Sequence, residues 1–259
     1  MATRWFLLDT AVDPSVIDDA LLELDGIELV SDESHEAEGA GDEKGISIRL
    51  ALVHRYAVGD WEMFKLEAVA ADLSRFGGSL GIELAGILGY SFLKDKVVRI
   101  DYRNKQLELA SDRAALPGRA DDCPEAHTTP LQFMSAVDLI PVVELLINDQ
   151  LLRVTIDTGS SLGVQIYDSA VSRLGLVSIR DEAEASSITG ARGQAEIRNA
   201  TLDHIFLGSF EANDMPVSFS NRQHNPAERQ GNVGNRFLET FLLTLDYVEG
   251  LVVFGHCED

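Results

Sequence analysis

The stretch Arg153-Val154-Thr155-Ile156-Asp157-Thr158-Gly159-Ser160-Ser161 decides how this chain is read. An apolar strand delivers an Asp-Thr pair to a tight turn. Gly159 permits a backbone conformation that a Cβ would penalise, and it lets another segment pass close by. A weaker echo stands near the start: Trp5-Phe6-Leu7-Leu8-Asp9-Thr10-Ala11-Val12-Asp13. One such turn is a strand end with a carboxylate on it. Two of them, one in each half of a chain, can bring two carboxylates face to face.

Three further landmarks repeat in the same order. Asp9-Thr10 matches Asp157-Thr158 at an offset of 148 residues. Tyr56-Ala57-Val58-Gly59-Asp60-Trp61-Glu62 matches Ile205-Phe206-Leu207-Gly208-Ser209-Phe210-Glu211 at 149. Gly86-Ile87-Leu88-Gly89 matches Gly231-Asn232-Val233-Gly234 at 145, and Arg99-Ile100-Asp101-Tyr102 matches Thr244-Leu245-Asp246-Tyr247 at the same offset. Spacing this regular over a whole chain is the mark of a tandem duplication. The expected division is a first lobe over residues 1–112, a linker over 113–130 and a second lobe over 131–259. The linker is rich in Pro, Gly and charge and has no apolar period.

The elements read mostly as strands. Residues 141–147, a turn at Asn148-Asp149 and residues 151–156 form a hairpin. Residues 194–197, 201–207 and 216–219 continue the pattern. Helix is expected over 15–24, over 167–174 and at Ser91-Phe92-Leu93, and an acidic loop over 31–45. Short strands with glycine turns give an all-β barrel or sandwich.

Composition narrows the partners. Asp and Glu number 43 against 21 Lys and Arg, a formal charge of −22, which argues against nucleic acid or an anionic membrane. There is no run of about 18 apolar residues to span a bilayer and no leader-like start, so a cytoplasmic protein is the default expectation. No pair among the six histidines has metal-ligand spacing. Cys123 and Cys257 can pair if the last strand passes the linker, or stand as two thiols.

Two carboxyls about 3 Å apart cannot both ionise, so they hold one proton between them. One then activates water as a general base while the other polarises a carbonyl. The pattern apolar-apolar-Asp-Thr-Gly-Ser-Ser, followed by a glycine hairpin and an apolar-apolar-Gly before a short helix, resembles the aspartic peptidases. Lobe size and the segment Val233-Gly234-Asn235-Arg236-Phe237-Leu238 are most similar to retropepsin-type domains, and the likeness covers nearly the whole chain, once per half.

That resemblance implies a two-lobed acid-protease barrel fold made by tandem duplication of a retropepsin-like domain. It implies an aspartic endopeptidase without metal or cofactor, acting on a peptide or unfolded protein as a monomer with an intramolecular pseudo-dimer. By resemblance Asp9 and Asp157 are the catalytic pair, and Thr10 and Thr158 grip one another beneath them. Gly159 and Ser160 support Asp157, with Ser160 bonding its outer oxygen. Ala11 and Asp13 line the substrate path, and Gly190, Ala191 and Gly193 form a flap whose first-lobe counterpart falls within residues 39–46. Ala11 departs from the Asp-Thr-Gly pattern by a methyl, Val12 lacks the hydroxyl of Ser160, and Asn232 is polar where an apolar residue normally sits. The alternative is a catalytically impaired retropepsin-like module that binds peptide or protein. A third reading pairs two second lobes from separate chains.

Overall fold

The computed structural model describes residues 3–37, 45–116, 123–190, 193–222, 225, 227 and 229–257. They fall into two compact units: residues up to Phe92 together with Ser187–Ala195, and Leu93–Ser186 together with Glu196 onward. Among the described residues, no helix is long and apolar enough to cross a membrane.

In the first unit, β1 (Trp5–Leu8) runs parallel to β6 (Leu84–Leu88), pairing Leu7 with Ile87 and Leu8 with Leu88. Next to β6 lies β2 (Ser15–Asp18), which is parallel to β5 (Trp61–Ala71) on its other side. The long hairpin strands β3 (Ile27–Ala37) and β4 (Ile46–Val58) complete the order β1-β6-β2-β5-β4-β3. Short helices α1 (Ser74–Leu80) and α2 (Tyr90–Leu93) flank β6. A buried cluster of Ala71, Leu73, Leu84 and Ile87, with Leu7, Val12 and Val16 packed on it, underlies the β1–β2 loop.

The chain beyond Leu93 forms a five-stranded and an eight-stranded sheet. The first contains β7 (Val97–Asp101), β8 (Gln106–Ala110) and β9 (Glu125–Pro130), with β18 (Leu242–Asp246) and β19 (Leu251–His256), in the order β8-β7-β18-β19-β9. The second contains β10 (Gln132–Phe133), β11 (Pro141–Ile147), β12 (Gln150–Ile156), β13 (Val164–Tyr167), β14 (Glu184–Gly190), β15 (Gly193–Leu207), β16 (Phe210–Ser220) and β17 (Gly231–Val233). Its order is β10-β11-β12-β17-β13-β16-β15-β14. Helices α3 (Asp168–Val171), α4 (Val177–Glu182) and α5 (Asn235–Leu238) are each under two turns long. The β11–β12 turn places Asn148 and Asp149 at φ 49° and 59°, the left-handed pair a two-residue hairpin demands.

Strand register carries the duplication into three dimensions. Val16 pairs with Val69 and Val164 with Val217, a step of 148 on both strands. Ala57 pairs with Glu62 and Phe206 with Glu211, a step of 149 on both. In the five-stranded sheet Arg99 pairs with Thr244, its own equivalent 145 residues on. An antiparallel pair centred on equivalent residues has a local two-fold axis through it. The fold is all-β and duplicated.

Several expectations need correction. Residues 15–24 are a strand followed by a 3-10 turn (Asp19–Glu23), because pairing with β5 and β6 overrides local helical spacing. Asp18 then serves both neighbours: Oδ1 accepts from the Ala20 N–H and Oδ2 from the Leu73 N–H. The expected loop over 31–45 is strand as far as Ala37, and residues 38–44 lie outside the described residues. In the expected linker, 125–130 form β9 against β19. That pairing sets Cys123 beside Cys257 in a disulfide, with Cα atoms 4.8 Å apart. Compact units and duplicated halves divide the chain differently, since β7 and β8 of the first half pack in the second unit.

Candidate functional site

Each half builds an Asp loop from the same parts. In the first, β1 ends at Leu8 and the Asp9 N–H donates to the Leu88 carbonyl on β6 at 3.0 Å. The Asp9 Oδ1 accepts from the Ala11 N–H at 2.8 Å, which curls the turn around the carboxyl. The Tyr90 N–H closes the loop on the Val12 carbonyl, and the Gly89 N–H donates to Ser15 Oγ at 3.0 Å. A Cβ at Gly89 would stand 2.3 Å from the Val12 oxygen, so only glycine lets β6 lie against this loop.

The second loop repeats most of these bonds, with a backbone carbonyl in place of the Ser15 hydroxyl. The Asp157 N–H donates to the Val233 carbonyl at 2.9 Å, and the Asn235 N–H closes on the Ser160 carbonyl at 2.8 Å. The Gly159 N–H bonds the Asp157 carboxyl, as the Ala11 N–H does in the first loop. The Gly234 N–H donates to the Gly163 carbonyl, and a Cβ there would stand 2.5 Å from the Leu162 oxygen. Thr10 and Thr158 are both buried.

The surroundings of Asp157 differ in residue type from those of Asp9, with Asn232 and Asn235 where the first half has Ile87 and Tyr90. Asn232 Nδ2 donates to Asp157 Oδ2 at 2.9 Å. Below the loop, Asn235 Nδ2 donates to the Thr158 carbonyl, and Tyr102 Oη donates to Asn235 Oδ1 at 2.8 Å. Arg229 and Arg222 lie over the ring of Tyr167, their guanidinium carbons 5.4 and 5.9 Å from its centroid. Burial pushes the Asp157 carboxyl above the ordinary carboxylate value. The positive charge of Arg229, the Asn232 bond and Arg222 pull the other way without cancelling it. Burial, with Glu239 and Asp157 nearby, also holds the Tyr102 phenol protonated.

The structure places Asp157, Thr158, Gly159 and Ser160 in one loop and Asp9, Thr10 and Ala11 in the other. Ser160 Oγ accepts from the Leu162 N–H at 3.3 Å, and Asp157 Oδ2 accepts from Asn232 Nδ2. Asp13 is exposed on the β1–β2 loop. Gly190 ends β14 and Gly193, at φ 81°, begins its neighbour β15. Ala191 lies outside the described residues, as do residues 39–44 of the first-half counterpart. Sequence reasoning noted Asn232 as an oddity and missed Asn235, Tyr102, Tyr167, Arg222 and Arg229. The one signal available was an amide inside an otherwise apolar strand. Among the described residues, no cluster of His, Cys, Asp or Glu is arranged to hold a metal ion.

The family model described as aspartyl protease matches residues 2–92 and again 143–237. The chain belongs to the aspartyl protease family. No curated protein matches this family member in sequence. Among solved structures it is similar to Basic 7S globulin from soybean, at 10% identity and a TM-score of 0.51, over 97% of this chain and 87% of that one. It also matches a retropepsin-like aspartic protease from Rickettsia conorii at 13% identity and a TM-score of 0.38, over 50% of this chain and 90% of that one. This aspartyl protease is a two-lobed, retropepsin-like member, with one family match per half.

Proposed function

We propose that the protein is an aspartic endopeptidase, hydrolysing peptide bonds in a cleft between its halves with a water activated by Asp9 and Asp157. The observation that carries this reading is the twin loop. Two carboxyls, 148 residues apart, are each held by the N–H two residues on and anchored through backbone to a glycine-ended strand. The upward displacement of the Asp157 carboxyl supports it further, because a pair that shares one proton needs a member that holds a proton above the ordinary range.

In this reading one carboxyl takes a proton from water as the oxygen attacks the scissile carbonyl, and the other gives its proton to the carbonyl oxygen. No covalent intermediate with the enzyme forms. The β14–β15 hairpin is the proposed flap over the peptide. One chain supplies both loops, so the monomer is the proposed active unit.

The test is cleavage of an unfolded protein across pH by wild type, Asp9→Asn and Asp157→Asn. Loss in both variants is expected. Full activity in both would sink the proposal, and peptide binding without turnover in wild type would leave a binding module instead. Cleavage that vanishes when the protein is held monomeric would favour a pair of second lobes from two chains.

A further inference from the structure

Five polar residues stand side by side across the eight-stranded sheet. Thr155 on β12 pairs with Asn232 on β17, Asn232 with Gln165 on β13, Gln165 with Ser218 on β16, and Ser218 with Asn199 on β15. Residues paired in register share one face of a sheet, so the five form a single transverse row. Asn199 is exposed, whereas Ser218, Gln165, Asn232 and Thr155 are all buried. The matching row of the first unit has the opposite character. Leu7 pairs with Ile87, Ile87 with Val16, Val16 with Val69, and Val69 with Leu50. Five apolar side chains take there the places that five polar ones take here. The fold therefore does not require polar residues in this row.

Two bonds of the polar row are made within the protein. Ser218 Oγ donates to Asn199 Oδ1 at 3.0 Å, and Asn232 Nδ2 donates to Asp157 Oδ2 at 2.9 Å. Thr155 Oγ1, Asn232 Oδ1 and Gln165 Nε2 are buried with no hydrogen-bond partner among the described residues. These three atoms belong to consecutive strands, β12, β17 and β13, and none of them bonds another. Burial without a partner is costly for each, and converging buried polar groups of this kind are what retains an enclosed water. The donor and acceptor set suits water. Asn232 Oδ1 accepts, Gln165 Nε2 donates, and a threonine hydroxyl does either. Three partners are the usual complement of one buried water. No side chain of the row is charged, so the set calls for a neutral ligand.

We infer that Thr155, Gln165 and Asn232 form a binding site for a buried water molecule in the interior of the second unit. The water donates one hydrogen to Asn232 Oδ1 and accepts one from Gln165 Nε2. Thr155 Oγ1 makes the third bond, as donor or acceptor. The site reaches Asp157 through a single amide. Water holds the oxygen end of Asn232, and the nitrogen end holds Asp157 Oδ2. An amide bonded at both ends is fixed in rotation, so the water orients the group that touches the carboxyl. This goes beyond the peptidase reading and does not depend on turnover.

A crystal structure of the wild-type chain, at a resolution that shows ordered water, is the direct test. Density within hydrogen-bond distance of all three atoms is expected. Side chains bonded directly to one another, with no water between them, overturn the inference. So does an equally ordered water in the apolar row at Leu7, Ile87 and Val16, because space rather than polarity would then be what retains it. In solution, oxygen-17 relaxation dispersion counts waters held for longer than the protein tumbles. The triple variant Thr155→Val, Gln165→Leu, Asn232→Leu copies the apolar character of the first unit and should lose at least one such water. An unchanged count in the folded variant overturns the site. Should the triple variant fail to fold, Thr155→Val alone keeps the shape and removes one of the three partners. Its water should then exchange several-fold faster than in wild type, and an unchanged exchange rate overturns the site. Neither readout involves cleavage. Loss of this site leaves the peptidase reading standing, and full activity in Asp9→Asn and Asp157→Asn leaves this site standing.

Discussion

The loops around Asp9 and Asp157 share a skeleton and differ in what surrounds it. The carboxyl, the N–H two residues on, the anchoring carbonyl and the closing glycine recur in both. The first loop then has Ala11 and Ile87 where the second has Gly159 and Asn232. Backbone geometry is duplicated, and side-chain chemistry has separated. A duplicated skeleton carries two carboxyls, and the diverged residues set different side chains beside it.

The largest expected effect removes one carboxyl at a time. Asp9→Asn and Asp157→Asn should each lower kcat/KM roughly 10²–10⁴-fold, the usual contribution of a general acid or base. A loss confined to Asp157→Asn would break the comparison, since the first loop would then be scaffold only.

Next in size is the shared skeleton. Gly89→Ala and Gly234→Ala each push a methyl to within 2.5 Å or less of a backbone oxygen, at Val12 and Leu162 respectively. Overpacking of this kind costs about 1–3 kcal/mol, and the two costs should be similar. Chemical denaturation measures both. A cost at one glycine only would mean that the loops are not built alike.

A smaller effect is expected where the loops differ. Ala11→Gly restores the pattern of the second loop and keeps the Ala11 N–H that holds Asp9 Oδ1. Turnover should rise severalfold if the methyl stands on the proposed substrate path, while stability falls by about 0.5–1 kcal/mol from added backbone freedom. A fall in kcat would show that the methyl holds the loop in shape.

What could be read from sequence follows the same line. Glycines at 89 and 234 were legible because sterics leave no other choice, and the Asn148-Asp149 turn because its left-handed backbone selects residue types. Residues 15–24 misled because Val16, Ala20 and Leu24 recur at helical spacing, whereas the winning contacts come from β5 and β6 far along the chain. In β3 the residues beyond Leu29 are largely exposed, so the edge strand shows no alternation and its acidic run looks like a loop. The disulfide waited on β9, a strand in a polar stretch. The Asn232–Asp157 bond joins residues 75 apart, and no local pattern announces such a pairing.

The smallest effect isolates the second loop by stability. Burial holds the Asp157 carboxyl above its ordinary value, so the folded state binds its proton more tightly than the unfolded chain does. That contribution is fully present below the unfolded carboxylate value, about 4, and is lost as pH rises through the folded value. At neutral pH the ionised, desolvated carboxylate is therefore a liability. Asp157→Asn removes it and keeps an oxygen to accept the Asn232 Nδ2 bond. The variant should melt above wild type at pH 7, by degrees rather than tens of degrees, and the advantage should shrink to nothing near pH 4 and below. Scanning calorimetry of both proteins across that range reads the difference directly, because the general effect of the net charge is nearly common to the two. A gain that persists at low pH would mean that Asn improves packing, and an Asp157→Asn variant less stable at pH 7 would mean that Arg229 and Arg222 outweigh burial.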